Sequence, residues 1–122
     1  QYWYDYKDPN KSICEIYDID YSQTVTVTLP HLVGLAEKSF DIQSSWDSFA
    51  TALLQHEVGH VLIAEELLET VPDALNSIGR VSCKDLGAIS QGRFDKAFQL
   101  VQDKSDDYDN ETSHGKFQGV TF

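Results

Sequence analysis

Five residues, His56-Glu57-Val58-Gly59-His60, constrain this chain more than any other stretch. They lie in a run with helical spacing from about Ser45 to Thr70. In a helix His56 and His60 are i and i+4 on one face, with Cβ atoms about 5–6 Å apart. Two imidazoles so placed can share one metal ion. Glu57 stands one step, roughly 100°, round the helix, where it flanks the metal without ligating it and can handle the proton of a water. The pattern points to Zn2+ and to hydrolysis.

The surrounding residues support a helix. Ser44 or Ser45 is a suitable N-cap, and Asp47 puts an acid in the first turn, where the helix dipole favours it. Trp46, Phe49, Leu53, His56, His60, Ala64 and Leu67 fall on one line, so the two histidines are expected within an apolar stripe that faces the interior. Gly59 should cost about 1 kcal/mol relative to alanine in a helix interior, and either a close backbone approach or simple tolerance would explain it. Glu65, Glu66 and Glu69 read as a solvated face. Val71-Pro72 is expected to stop the helix, with a short helix or turn over Asp73 to Gly79.

Before this helix the pattern changes to period two. Gln1 to Asp8 is aromatic-rich and reads as a strand, followed by a turn at Asp8-Pro9-Asn10-Lys11. From Ser12 to Leu29, Ile13, Tyr17, Ile19 and Tyr21, and then Val25, Val27 and Leu29, alternate with polar neighbours. This predicts two strands or one bent strand, interrupted near Ser22-Gln23 and ended by Pro30. His31 reads as a surface histidine. After the central helix, Ser82 or Asp85 opens a third helix with an apolar face of Leu86, Ile89, Phe94, Ala97, Phe98 and Val101. Asp103 to Asp109 is polar and acidic, and the segment Tyr108 to Gly115 reads as a loop rich in side chains able to ligate or hydrogen-bond. The expected fold is α+β: a small antiparallel sheet packed on a central metal-binding helix and a second long helix.

With 122 residues and 41% hydrophobic content, one domain over residues 1–122 is expected. The chain contains no methionine, which implies removal of something upstream and truncation at the N-terminus. Nine Lys and Arg, scattered among twenty Asp and Glu, give a net charge of −11 and argue against nucleic acid as a partner. No window is long and apolar enough for a membrane-spanning helix. Cys14 and Cys83 leave two readings, a disulfide or two buried free thiols. A bridge would close a loop of about 70 residues, worth roughly 4 kcal/mol, and would place the chain in an oxidising, extracytoplasmic compartment.

A catalytic zinc needs a third protein ligand and one open position. The metzincin extension wants Gly and His where this chain has Ile63 and Glu66. A thermolysin-like downstream glutamate is missing too, Glu111 being the only glutamate after Glu69. His114 is the remaining histidine of the right type.

His56-Glu57-Val58-Gly59-His60 taken with Tyr108-Asp109-x-x-Thr112-x-His114-Gly115-x-x-Gln118-Gly119 resembles a bacterial domain-of-unknown-function family described as predicted secreted zinc-dependent proteases. Leu29-Pro30, Trp46 and the two cysteines also fit its pattern. The resemblance implies a zincin-like, exported metallopeptidase acting on a peptide or protein substrate. It implies zinc on His56, His60 and His114, Glu57 as general base, and Tyr108 as donor to the oxyanion. Asp109 would orient a ligating imidazole, replace His114 as ligand, or fix the loop; Thr112 would tie the loop down. Two other readings stay open: a binding module whose metal only organises the fold, and a zinc amidase acting on a cell-wall component.

Overall fold

The computed structural model describes residues 2–6 as backbone and residues 12–122 with their side chains. The turn expected at Asp8-Pro9-Asn10-Lys11 lies outside the described residues. Among the described residues, three strands and three α-helices follow one another as β1 (Tyr2–Tyr6), β2 (Ile13–Ile19), α1 (Phe40–Glu65), α2 (Leu67–Asn76), β3 (Val81–Ser82) and α3 (Cys83–Thr112). The class is α+β, as expected. Contacts gather into two compact units, one formed by Gln1–Thr24 with Glu65–Asp103, the other by Val25–Ala64 with Lys104–Phe122.

In the first unit β1, β2 and β3 form an antiparallel sheet in that order. Cys14 of β2 is bonded to Cys83 at the start of α3, with Cα atoms 4.9 Å apart, so of the two cysteine readings the disulfide is the one observed. Helix α2 lies against β2. Its Pro72 is internal, contrary to the expectation that Val71-Pro72 would end a helix. An internal proline costs about 3 kcal/mol. Against that, Leu67, Val71 and Leu75 form an i, i+4, i+8 stripe that is buried, and each such side chain stabilises by about 1.5–3 kcal/mol. The stripe outweighs the proline, and residues 73–76 join the same helix. Leu86, Ala97 and Val101 of α3 complete the buried apolar set with Cys14 and Ile16.

In the second unit α1 begins earlier than the sequence suggested. Ser39, not Ser44 or Ser45, caps it, its Oγ accepting the Ile42 N–H at 3.3 Å. The helix ends at Glu65 rather than near Thr70. The strand expected over residues 24–29 does not form. Val25, Val27 and Leu29 are exposed, and β-branched alternation makes a strand only where a neighbouring strand and a covering face exist. Trp46 and Phe49 of α1 meet Phe122, the Trp46 and Phe122 rings standing edge to face at 5.5 Å. The largest departure is at the other end. Tyr108 to Thr112 is not loop but the last turn of α3, which runs unbroken through the acidic stretch.

Candidate metal centre

Helicity to Thr112 puts Ser105, Tyr108, Asp109 and Thr112 at i, i+3, i+4 and i+7, on one face. On α1, His56 and His60 occupy a matching i, i+4 pair, and the two faces meet. His56 is 3% exposed. Its Nε2 lies 2.9 Å from Asp109 Oδ1, and the Nε2 of His60 lies 2.8 Å from the same oxygen. The two imidazoles stand edge to face with centroids 4.9 Å apart. One nitrogen from each ring and one carboxylate oxygen thus converge, all within 4.8 Å of one another.

The distal nitrogens are also held. His60 Nδ1 is 2.5 Å from Ser105 Oγ, and His56 Nδ1 is 2.7 Å from Gln118 Oε1. Tyr108 stacks on the His56 ring, 13° from parallel at 4.9 Å, and meets His60 edge-on. Its hydroxyl donates to the His56 carbonyl oxygen at 2.9 Å and accepts from Gln118 Nε2 at 3.0 Å. Gly59 has a specific reason to be glycine. A Cβ there would overlap the hydroxyl and Cζ of Tyr108 and lie 2.8 Å from its Cε2, so the missing side chain is what lets α3 approach α1.

Partial burial acts to raise the Asp109 carboxyl pKa. Hydrogen bonds from His60 and then His56, with the attraction of their charge, outweigh it and hold the group below its ordinary value. A carboxylate held towards its ionised form faces two imidazoles, which offers a cation one negative charge and two nitrogen donors.

Below the cluster the chain reverses sharply. Ser113, His114 and Gly115 have φ of 51°, 55° and 89°. The turn is tied at both ends: Thr112 Oγ1 donates to the Tyr108 carbonyl at 2.8 Å and accepts the Gly115 N–H at 3.1 Å. The expected role of Thr112 as an anchor matches these bonds. A Cβ at Gly115 would overlap Val120 and lie 3.0 Å from His56 Cγ, so glycine is needed there for space as well as for φ.

The structure brings together four of the residues singled out in the sequence: His56, His60, Tyr108 and Asp109. It does not bring His114 with them. The His114 side chain is 77% exposed, with Nδ1 3.9 Å from the other Asp109 oxygen, Oδ2. Glu57 is half-buried on α1, and its side chain has no hydrogen-bond partner among the described residues. His31 is exposed, as expected. Ser105 and the contact from Gln118 to His56 went unread in the sequence. The signal for Ser105 was its place in the polar i, i+3, i+4, i+7 line, which becomes visible only once α3 is known to continue.

Two histidines one helical turn apart, facing a carboxylate from a second helix, form a mixed nitrogen and oxygen donor set of the kind that could hold a metal ion. The chain itself belongs to a family described as bacterial protein of unknown function (DUF922), whose model matches residues 1–115. No curated protein and no solved structure matches it.

Proposed function

We propose that this chain is a zinc-dependent hydrolase, an exported metallopeptidase, with zinc held by His56, His60 and Asp109. The observation that carries this reading is the convergence of two Nε2 atoms and one carboxylate oxygen within 4.8 Å. The donor set fits the ion. Two neutral imidazoles and one carboxylate match the composition of hydrolytic zinc sites, and each imidazole has a polar partner on its other nitrogen, as metal-binding histidines usually do. Asp109 takes the place that the sequence reading gave to His114.

Zinc bound there would supply Lewis acidity, polarising a carbonyl and lowering the pKa of water towards about 7. The chain supplies the rest. Glu57 lies next to His56 on α1 with its carboxylate uncommitted, so it can accept a proton from the attacking water and return it to the leaving amine. Tyr108 is poorly suited to the oxyanion role, because its single proton already goes to the His56 carbonyl. His114, exposed beside Asp109, is the donor left to meet a substrate. The Cys14–Cys83 bridge fits an oxidising compartment.

A metal that only organises the fold is normally closed in by four protein ligands. Here three groups converge among the described residues, and Asp109 is 30% exposed, which favours an open catalytic position. The deciding measurement is zinc content of single variants. Asp109→Ala is expected to lose zinc, and His114→Ala to keep it while losing turnover. Full zinc occupancy in Asp109→Ala would overturn the ligand set. Assaying the purified chain against mixed peptides and peptidoglycan fragments, with and without chelator, tests the reaction: chelator-sensitive peptide cleavage is expected, and cleavage of the glycan-linked amides alone would replace peptidase with amidase.

A further inference from the structure

Resting on that reading of the site, we propose that Gln118 is a positioning residue that sets the tautomer of His56, and that Tyr108 serves it by fixing the Gln118 amide. The inference begins with one proton. A tyrosine hydroxyl has a single hydrogen, and the nearest acceptor to that of Tyr108 is the His56 carbonyl at 2.9 Å, with Gln118 Oε1 farther off at 3.3 Å. The hydrogen therefore goes to the carbonyl, and the hydroxyl oxygen is left to accept from Gln118 Nε2 at 3.0 Å.

That bond fixes which way the amide faces. With its NH2 turned to Tyr108, Gln118 presents a carbonyl oxygen to His56 Nδ1 at 2.7 Å. Two acceptors cannot share that distance without a hydrogen, so Nδ1 must carry one. Without metal the contact of Nε2 with Asp109 Oδ1 at 2.9 Å calls for a hydrogen as well; a metal ion there would displace it, leaving the single N–H of the neutral imidazole on Nδ1 and the Nε2 lone pair for the ion. The relay from carbonyl to hydroxyl to amide to imidazole thus turns the basic nitrogen of His56 towards the metal position. Ser105 Oγ, against His60 Nδ1, can accept in the same way.

The alternative is that Gln118 is only a packing contact between the tail and α1. The two roles part when the amide is replaced in two ways. Gln118→Glu keeps an acceptor for Nδ1–H, whereas Gln118→Met keeps length but has none. Zinc dissociation constants are to be measured by competition with a chromophoric chelator, alongside the 1H–15N spectrum of the zinc-loaded chain. Wild type is expected to show a slowly exchanging His56 Nδ1–H. Gln118→Met should lose that signal and bind zinc about 10–100-fold more weakly, Gln118→Glu should restore both, and Tyr108→Phe, which keeps the stacked ring, should fall between. Equal affinity in Gln118→Met and wild type would overturn the positioning role while leaving the zinc reading intact. Absence of zinc binding by wild type would overturn both. Should Gln118→Met fail to fold, Tyr108→Phe decides: an unchanged affinity and an unchanged Nδ1–H signal would overturn the relay.

Discussion

Asp109 is the residue on which the site turns, and its environment makes its titration informative. Its carboxyl is held below its ordinary value in the folded chain, through the two histidines and against the opposing effect of burial. A depressed folded-state pKa contributes stability that is present above the unfolded value, near 4, and lost as pH falls through the folded value. In the metal-free protein, urea midpoints measured from about pH 6 down to about pH 3 should therefore fall less steeply for Asp109→Asn than for wild type. Glu57 has the opposite character, being uncommitted. Glu57→Gln should keep full zinc occupancy and lose hydrolysis by about 10²–10⁴-fold, the usual worth of a positioned acid–base group; simultaneous loss of zinc would instead make Glu57 a ligand. How much of this was legible depended on distance along the chain. His56, Glu57 and His60 declare themselves because one helical turn fixes their relation. Asp109 was singled out only through the motif, with three roles left open, because a carboxylate 49 residues from His60 has no fixed relation to it until the opposite helix is known. His114 was given the ligand role through its residue type and its place in the family-like motif, and its side chain is exposed in the left-handed turn, 3.9 Å from Asp109 Oδ2.

At the scale of elements, helix boundaries proved harder to read than helix existence. The polar stretch after Val101 has no apolar stripe, so periodicity ended before the helix did. Its inward face is built instead of Ser105, Tyr108 and Asp109, which meet imidazoles rather than hydrocarbon. A helix whose functional turn faces a polar cluster is invisible to a hydrophobicity pattern. The approach of α3 to α1 depends on Gly59, and this gives an element-level prediction. In an exposed helix Gly→Ala would stabilise by about 1 kcal/mol. Here the added methyl meets the Tyr108 ring, and overpacking of that kind costs about 1–3 kcal/mol. Gly59→Ala should lower the melting temperature and weaken zinc binding together. A rise in melting temperature with unchanged zinc affinity would show that the two helices can part without consequence.

For the molecule as a whole, the division into two compact units separates two kinds of chemistry. The disulfide lies in the unit built from the sheet, α2 and most of α3; the histidine–aspartate cluster lies in the other. The bridge spans 69 residues of sequence, and on the chain-entropy model its removal costs about 4 kcal/mol. Reducing the purified chain should shift its denaturation midpoint accordingly. Mass spectrometry before and after reduction should show the gain of two hydrogens across the Cys14 and Cys83 peptides. No gain would remove the strongest support for an oxidising compartment.

The site also has an order in time. A ribosome delivers His56 and His60 together, but Asp109 follows His60 only 49 residues later, after the whole of α2 and most of α3. Gln118 comes later still. A nascent chain therefore carries a pair of histidines with no carboxylate to complete them, and a pair alone grips a divalent ion weakly. On the zinc reading proposed above, metal capture would wait until the second helix has been made and laid beside the first.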